Sequence, residues 1–305
     1  MTGVESVILA VIAIALIKAT PLALAGLGGV ISENAGVVNI SLEGMMVGGA
    51  FTAVLLSYYT SNLFLAILAA ALVGGLMALV LAYFAIALRA DQIIVGMALN
   101  ILGVGGAAYL LSAVFGQPGA SPQVRSFGSL VHARSGDLAG LFTNPQGHVL
   151  FWLAVLFVIA MHLFLYRTKP GVHLRAVGEE PRAAATAGID VAKVRYLATV
   201  TGGALAALGG AYLSIGEVNI YSDGMVAGRG FIALAAVIFG RWTPLGTAGA
   251  CLFFGLFSSL QIALQGANVP AQWLEMLPYA LTIVAISGFI GRSRPPASDG
   301  IPYEA

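Results

Sequence analysis

Charged residues are scarce in this sequence: 14 lysines and arginines and 13 aspartates and glutamates make up 9% of its 305 residues. Soluble domains carry about 25% charged residues, and the uncharged runs here reach about 20 residues, enough to cross a bilayer as a helix. Hydrophobic residues make up 59% of the chain, and the mean hydropathy is +0.94. The composition predicts an all-α, polytopic membrane protein with about 8–10 membrane segments, some of them discontinuous. The net charge of +1 and the lack of a basic run give no sign of a nucleic-acid partner.

Catalytic and cofactor-binding motifs are also missing. The sequence has no Gly-x4-Gly-Lys-Ser/Thr loop, no His-Glu-x-x-His and no Gly-x-Ser-x-Gly. We therefore expect no metal site, no cofactor and no enzymatic activity in this chain. The single cysteine, Cys251, excludes an intrachain disulfide framework. Since no basic region precedes the first apolar segment, we expect that segment to be retained as a helix. The histidines show no metal-ligand spacing: His132, His148, His162 and His173.

Apolar segments divide the chain into predicted membrane crossings. Thr20-Pro21 is expected to kink the first crossing, which also contains Lys18. Apart from Lys18, Glu275 and the repeated stretch described next, the crossings hold almost no ionisable residue. The predicted segments are Val4 to about Ile31, Gly44 to Tyr59, Leu63 to Leu88, Ile93 to Phe115, Val149 to Tyr166, Tyr196 to Ile215, Pro244 to Leu264 and Ala271 to Ile290.

A polar stretch near the start returns 180 residues later. Gly36 to Phe51 (the first copy) aligns without a gap on Gly216 to Phe231 (the second copy). Both read Gly-x-Val-Asn-Ile, then an acid three residues after Ile, then Gly-Met-x-x-Gly-x-x-Phe. Composition alone would not give so many matches, so we expect two related halves, residues 16–115 and 196–290 approximately. Each copy also holds a GxxxG pair that is expected to serve close helix packing: Gly44 with Gly48, and Gly224 with Gly228.

Lysine and arginine give the expected orientation. Nine of the fourteen lie in the loop at 167–195, in the tail with Arg292 and Arg294, and at Arg89. The intervening crossings put these segments on one side, which is expected to be the cytoplasm. The segment after the first copy then runs outward and the segment after the second copy inward, so that the halves form an inverted repeat, as in many transporters. Nine crossings place the N-terminus outside, whereas an extra break at Pro21 would place the N-terminus on the cytoplasmic side.

The polar residues of the two copies have two interpretations. Glu43 and Asp223 would stabilise the N-terminal ends of the helices that follow them, with Asn39 and Asn219 satisfying free backbone N–H groups. Alternatively, the polar side chains line a translocation pathway, because polar groups within a bilayer are costly and often functional. The candidate residues for the pathway or motif are Glu33, Asn34, Asn39, Ser41, Glu43, Asn100, Glu217, Asn219, Tyr221 and Asp223.

The charged loop at 167–195 contains a predicted helix of about two turns. Pro181 suits a first turn, the residues after it are mostly good helix formers, and Gly188 is typical of the position after a helix. A short helix between membrane crossings indicates docking to a cytoplasmic partner, and the alternative is a solvated loop. Alanines 183, 184 and 187 are expected to form the closely packed surface of this contact. The candidate residues are Arg175, Gly178, Glu179, Glu180, Pro181, Arg182, Ala183, Ala184 and Gly188.

Three stretches resemble a known family. Ser32 to Met46 is similar to the signature of permease subunits of bacterial ABC importers in the simple-sugar and nucleoside group. This group belongs to the broader family of ribose and branched-chain amino-acid permeases. Arg175 to Ile189 resembles the coupling segment of the group, and Gln92 to Gly105, with Asn100, is also similar. The group more often has Glu-Arg-Ala-Gly in the signature and Gly at the place of Ser41.

The resemblance implies a multi-pass permease subunit of the bacterial plasma membrane. A second permease subunit, identical or homologous, would complete the pathway, and an extracytoplasmic binding protein would deliver a nucleoside or, next in order, a simple sugar. ATP would be bound and hydrolysed by separate cytoplasmic subunits, in agreement with the missing phosphate loop. One alternative is an inverted-repeat secondary transporter, which the scarcity of ionisable membrane residues disfavours. Another is a membrane enzyme, for which the sequence offers no nucleophile-base pair.

Overall fold

The structure is a computed structural model that describes residues 3–127, 149–264, 276 and 294–303. Apart from residue 276, the predicted crossing at 271–290, with Glu275, lies outside these residues, as do His132, His148 and Arg292. The helices, in chain order, are α1 (Gly3–Glu33), α2 (Leu42–Thr60), α3 (Leu63–Ala82), α4 (Gln92–Phe115), α5 (Val149–Arg167), α6 (Lys169–Glu179), α7 (Pro181–Thr186), α8 (Val191–Ala211), α9 (Arg229–Phe239) and α10 (Pro244–Leu264).

Six described helices are long and apolar enough to cross a membrane. The prediction of an all-α, multi-pass membrane protein is therefore confirmed, whereas the inverted relation of the two halves stays a prediction. The six segments are Ile8–Glu33, Leu63–Ala87, Gln92–Phe115, Val149–Arg167, Val191–Val218 and Pro244–Leu264.

Two of the crossings end in π-helical turns. Tyr83–Ala87 extends α3, and Tyr212–Val218 extends α8 into the first residues of the second copy of the repeat. A π-helical turn leaves some backbone groups without their usual partners and is frequent at functional sites. The second copy thus begins within an irregular helix end, a feature that the apolar pattern of the sequence did not indicate.

The first helix is continuous through Pro21. Proline removes one backbone hydrogen bond from a helix interior, and the hydroxyl of the neighbouring Thr20 donates to the Leu16 carbonyl at 2.8 Å. The extra break at Pro21, which would have moved the N-terminus to the cytoplasmic side, is therefore absent from α1.

Helix α8 packs at the centre of the described bundle, between α1, α2 and α3. Its glycines allow this packing because a side chain would not fit between the backbones. A Cβ atom on Gly202 would lie 2.5 Å from the Gly28 carbonyl oxygen of α1, and one on Gly203 would lie 2.5 Å from the Gly74 carbonyl oxygen of α3. The leucines and alanines around these contacts, such as Leu205 and Ala206, are buried.

Polar segments close the two ends of the bundle. At one end, residues 116–127 run beside the second copy and Ser57 of α2 donates to the Arg125 carbonyl at 2.7 Å. At the other end, the backbone N–H of Ser298 donates to the Gly178 carbonyl at 2.9 Å. The C-terminal tail and the charged loop are thus in contact on one side of the bundle, in agreement with the orientation that the basic residues predict.

Candidate functional site

The polar turn that ends α1 is tied to the far half of the chain. The Glu33 carboxylate accepts a hydrogen bond from the Trp242 indole N–H at 2.5 Å, and the Asn34 amide donates to the Trp242 carbonyl at 2.8 Å. Glu33 and Asn34 are both buried. Trp242 lies in the turn after α9, and the composition of that turn gave no reason to single it out. The turn of α1 is therefore fixed to the end of α9.

Asn100 on α4 holds the start of α2. Its amide donates to the Ile40 carbonyl at 2.9 Å, and its side-chain oxygen accepts from the backbone N–H of Gly44 at 2.7 Å. One side chain thus satisfies a donor and an acceptor at a chain turn, where the backbone lacks helical partners. Gln92 has a similar role, because its side-chain oxygen accepts from the Val38 N–H at 2.7 Å.

Asn39 and Ser41 bond to each other within the first copy. The Ser41 hydroxyl donates to the Asn39 side-chain oxygen at 2.7 Å, and both residues are completely buried. Ser41 occupies the N-cap position of α2 but makes no capping hydrogen bond with its side chain. Asn39 is therefore part of the internal packing of the described subunit.

Glu43 joins the two copies of the repeat. Its carboxylate oxygens accept hydrogen bonds from the backbone N–H groups of Gly228 at 2.8 Å and Gly230 at 2.7 Å. These N–H groups belong to the start of α9, where an anion is favoured by free donors and by the helix dipole. Glu43 lies in the first turn of α2, but its hydrogen bonds go to α9. Its position agrees with the expectation that its charge stabilises the start of α2, and its hydrogen bonds add a role at the start of α9 that the sequence did not indicate.

The second copy is less buried than the first. Asp223 is exposed and lies six residues before α9, whose N-cap is Gly228, so the expectation that it caps that helix is wrong. Asn219 has a positive φ of 55° at the end of the π-helical turn, and its carbonyl accepts from Val124 N–H at 2.9 Å. The Tyr221 ring packs edge-on against Phe51, with 5.5 Å between ring centroids.

Segment 119–124 pairs with the second copy through its backbone. The N–H of Ser121 donates to the Tyr221 carbonyl and the N–H of Asp223 donates to the Gly119 carbonyl, both at 2.8 Å. The Tyr221 N–H in turn donates to the Ser121 hydroxyl at 2.9 Å. These bonds hold the irregular chain of the second copy while leaving the Asp223 side chain exposed.

An ion pair links Lys18 of α1 to Glu217 in the π-helical turn. The side chains are 22% and 17% exposed, and charges inside a membrane protein are usually paired because an isolated one is costly. The sequence marked both residues as unusual, but their separation of 199 positions hid the pairing. Since Glu217 is neutralised by Lys18, it is not free to act as an isolated charge.

The glycines of the repeat differ between the two copies. A Cβ atom on Gly44 would lie 2.8 Å from the Asn100 Cα atom, so this glycine permits close packing, as predicted. Gly224 and Gly228 instead have positive φ angles of 73° and 79°, and nothing lies within 4 Å of a Cβ on Gly224. The prediction of a packing face is therefore wrong for the second pair, in which glycine permits left-handed turns.

The charged loop contains two short helices where the sequence predicted one. The predicted helix is present as α7, which starts at Pro181 and is followed by Gly188 with φ of 82°. Helix α6 precedes it, and Thr168 caps α6 by accepting from the Gly171 N–H. We call α6 and α7 together the coupling helices.

The coupling helices turn several predicted docking residues inward. Ala184 is only 4% exposed and packs against Val177 and Val191, so the expectation that it forms part of an outer surface is wrong. The guanidinium of Arg175 donates to the Leu165 carbonyl at 3.1 Å and lies over the Tyr166 ring. Gly178 is also buried. The residues that remain exposed on this surface are Glu179, Glu180, Arg182, Ala183, Ala187 and Gly188.

Residues 11–286 match the family described as "Branched-chain amino acid transport system / permease component". The chain belongs to this family. It is therefore a membrane permease, and the plasma membrane is its location. The predicted resemblance is confirmed.

Curated relatives cover nearly the whole chain. The guanosine ABC transporter permease protein NupQ of Bacillus subtilis is 38% identical over 94% of this chain and 94% of its own. The nucleoside ABC transporter permease protein NupC of Lactococcus lactis is 35% identical over 96% of each chain. The guanosine ABC transporter permease protein NupP of Bacillus subtilis is 25% identical over 88% of this chain and 79% of its own. This chain is thus similar to two permease proteins of one organism that share a named solute.

Proposed function

We propose that the chain forms part of the pathway by which an ATP-binding-cassette importer takes up nucleosides. The observation that carries this proposal is the 38% identity to a guanosine permease over 94% of both chains. A simple sugar is the next solute class to test. The proposed pathway is the interface between this subunit and a second permease subunit. Transporters commonly place their solute sites at the interface between two related structural units.

The proposed partners follow from the same family. A separate cytoplasmic subunit binds and hydrolyses ATP, and this chain holds no cofactor. A homologous second permease is favoured over an identical one, because two distinct permease proteins of Bacillus subtilis carry the guanosine name and both are similar to this chain. An extracytoplasmic binding protein delivers the solute.

Within the proposed pathway, the second copy contacts the solute and the first copy is the framework. Asp223 is exposed, whereas Glu33, Asn34, Asn39, Ser41, Glu43 and Asn100 are buried and hydrogen-bonded inside the subunit. A buried side chain with internal hydrogen bonds has little capacity to bind a passing solute, and Glu33, whose second carboxylate oxygen has no hydrogen-bond partner among the described residues, is itself only 3% exposed. Asp223 and the half-buried Asn219 are therefore the proposed solute-facing residues.

The ATP-binding subunit docks on the exposed surface of the coupling helices in this proposal. Charges at the rim of an interface mainly steer association, and packed central residues set how long it lasts. Glu179, Glu180 and Arg182 supply rim charges, and Ala183 supplies a small exposed centre. Ala183→Trp is expected to loosen the complex or to uncouple ATP hydrolysis from uptake. Ala113→Trp, on an exposed residue of α4, is the matched control.

The proposal is tested by purifying the chain together with the second permease and the ATP-binding subunit and reconstituting the complex in liposomes. We expect an ATP-binding subunit to co-purify, and we expect ATP-dependent uptake of guanosine, adenosine or uridine in the presence of the binding protein. Ribose serves as the sugar comparison. Uptake that proceeds without ATP, driven by an ion gradient alone, would contradict the importer and support a secondary transporter.

A further inference from the structure

The C-terminal segment 297–303, which we call the clasp, is bonded to the end of α6. The Ser298 N–H and hydroxyl both donate to the Gly178 carbonyl, at 2.9 Å and 2.6 Å. Ser298 is only 5% exposed, and Tyr303 packs against the buried Val177 and Ala184 of the coupling helices. The clasp therefore holds the inner side of the coupling helices and leaves their outer side free.

Arg195 of α8 binds the clasp through its guanidinium group. One guanidinium nitrogen donates to the Ile301 carbonyl at 3.1 Å and another donates to the Ser298 hydroxyl at 3.2 Å. Arg195 is 1% exposed, and a buried guanidinium requires partners that match its fixed fork of donors. Asp299 lies close enough to interact with it electrostatically. Among the described residues, both of these guanidinium hydrogen bonds are made to the clasp.

The same group of residues touches the turn of the first copy. A Cβ on Gly36 would lie 2.7 Å from an Arg195 nitrogen and 2.8 Å from the Ser298 hydroxyl oxygen, so the glycine backbone packs directly on both. Gly36 has φ of 85°, which only glycine adopts readily. Gly178 of α6 also packs directly against the backbone of Asn34 in the same turn. The clasp therefore joins α6, α8 and the turn at residues 33–36.

We infer that Arg195 and Ser298 are positioning residues that make the coupling helices and the turn of the first copy move as one body during transport. This inference rests on the proposed function. The physical reason is that a displacement of α6 reaches the turn only through packed and hydrogen-bonded contacts, and the clasp supplies the hydrogen bonds between them. Residues Glu33 and Asn34 of this turn also bond to Trp242 after the end of α9, so the displacement is passed to the helix that begins within the second copy.

The test uses the complete complex in liposomes, with Ser298→Ala as the main variant. This change removes the hydroxyl that accepts from Arg195 while leaving the backbone bond to Gly178. Ser298→Thr, which keeps a hydroxyl, is the conservative variant, and Ser258→Ala in α10 is the matched control. Three quantities are measured: the amount of assembled complex, ATP hydrolysis with loaded binding protein, and uptake of tritiated guanosine.

We expect Ser298→Ala to lower the number of guanosine molecules imported per ATP by about tenfold, the change associated with a hydrogen bond to a charged group. Assembly and ATP hydrolysis should stay close to those of the unchanged complex, and Ser298→Thr should restore the ratio. An unchanged ratio, or a loss of uptake that merely follows a loss of assembly, would overturn the inference. A wild-type complex without ATP-dependent uptake would instead contradict the proposed function.

Discussion

The two copies of the repeat have similar sequences and different surroundings. Glu43 of the first copy is buried and bonded to two backbone N–H groups, whereas the equivalent Asp223 is exposed. The first copy leads directly into α2, but five residues in turns separate Asp223 from α9. The comparison teaches that one motif can supply the framework in one half and an accessible surface in the other.

The largest expected effect comes from Glu43→Ala. The change leaves two buried N–H groups at the start of α9 without their charged acceptor, which costs about 4 kcal/mol of folding free energy. Assembled complex and uptake should therefore fall together. Asp223→Ala should lower uptake and leave assembly unchanged, because its side chain is exposed. Both quantities are measured by purification yield and liposome uptake, and the opposite pattern would show that the roles of the copies are exchanged.

Breaking the ion pair of the second copy should have the next largest effect. Lys18→Met leaves the Glu217 carboxylate without its partner, which costs about 3 kcal/mol. The double variant Lys18→Met with Glu217→Gln should cost less than the sum of the single changes, since no uncompensated charge remains. Thermal unfolding of the four purified proteins measures this coupling. Strictly additive losses would mean that the pair contributes nothing to the anchoring of the second copy.

Glycine-to-alanine changes compare packing with turn geometry. Gly230→Ala places a methyl group against Glu43, with its Oε2 atom at 2.8 Å, and should cost about 2–3 kcal/mol. Gly224→Ala has open space around it but requires a positive φ, so it should cost only about 1 kcal/mol. The midpoints of thermal unfolding rank the two variants. A larger loss for Gly224→Ala would contradict the packing of the copies against each other.

The smallest expected effect is a pH dependence of the clasp. Burial raises the pKa of Asp299 to about 7, although Arg195 and the Gly300 N–H oppose the shift. Glu33 on α1 also lies near this carboxyl group, and Tyr303 lies near Arg195. A detached clasp would have an aspartate pKa of about 4, so the attached state binds the proton more tightly. Attachment should therefore strengthen as pH falls from about 7 towards 4 and be weakest above pH 7.

A spin label on Ala297→Cys, in a Cys251→Ala background, measures this attachment. The mobile fraction of the label is expected to decrease between pH 8 and pH 6. Asp299→Asn should remove the dependence and keep the label in its low-pH state. A mobile fraction that increases on acidification would contradict the sign of the prediction.

Local signals were sufficient to predict much of the fold. Six of the eight predicted segments became candidate crossings near the expected positions, and Pro181 with Gly188 marked α7 correctly. The predicted crossing from Gly44 to Tyr59 forms α2, which is not among the six candidate spans. These features depend on neighbouring residues, through hydrophobic length and backbone preference. The π-helical turn at the start of the second copy was missed because its first residues continue the apolar pattern of α8.

The candidate site was predictable in its residues but not in its contacts. The bond from Glu43 to Gly228 spans 185 positions, and the bond from Arg195 to Ser298 spans 103. A sequence shows that a polar residue in a membrane segment requires a partner, but it does not show which one the fold brings near. Ala184 illustrates the same limit, because the packing of Val177 and Val191 buries an alanine that helix preference alone left on the surface.

The most direct test of the comparison is the reactivity of cysteines placed at Asn39 and Asp223. The assembled complex, in a Cys251→Ala background, is treated with a membrane-impermeant methanethiosulfonate reagent, and the rate of modification is measured for each variant. The account predicts that Asp223→Cys reacts, that a nucleoside supplied with its binding protein and ATP slows the reaction, and that Asn39→Cys stays unmodified. Rapid modification of Asn39→Cys together with an unreactive Asp223→Cys would contradict the assignment of framework to the first copy and pathway to the second.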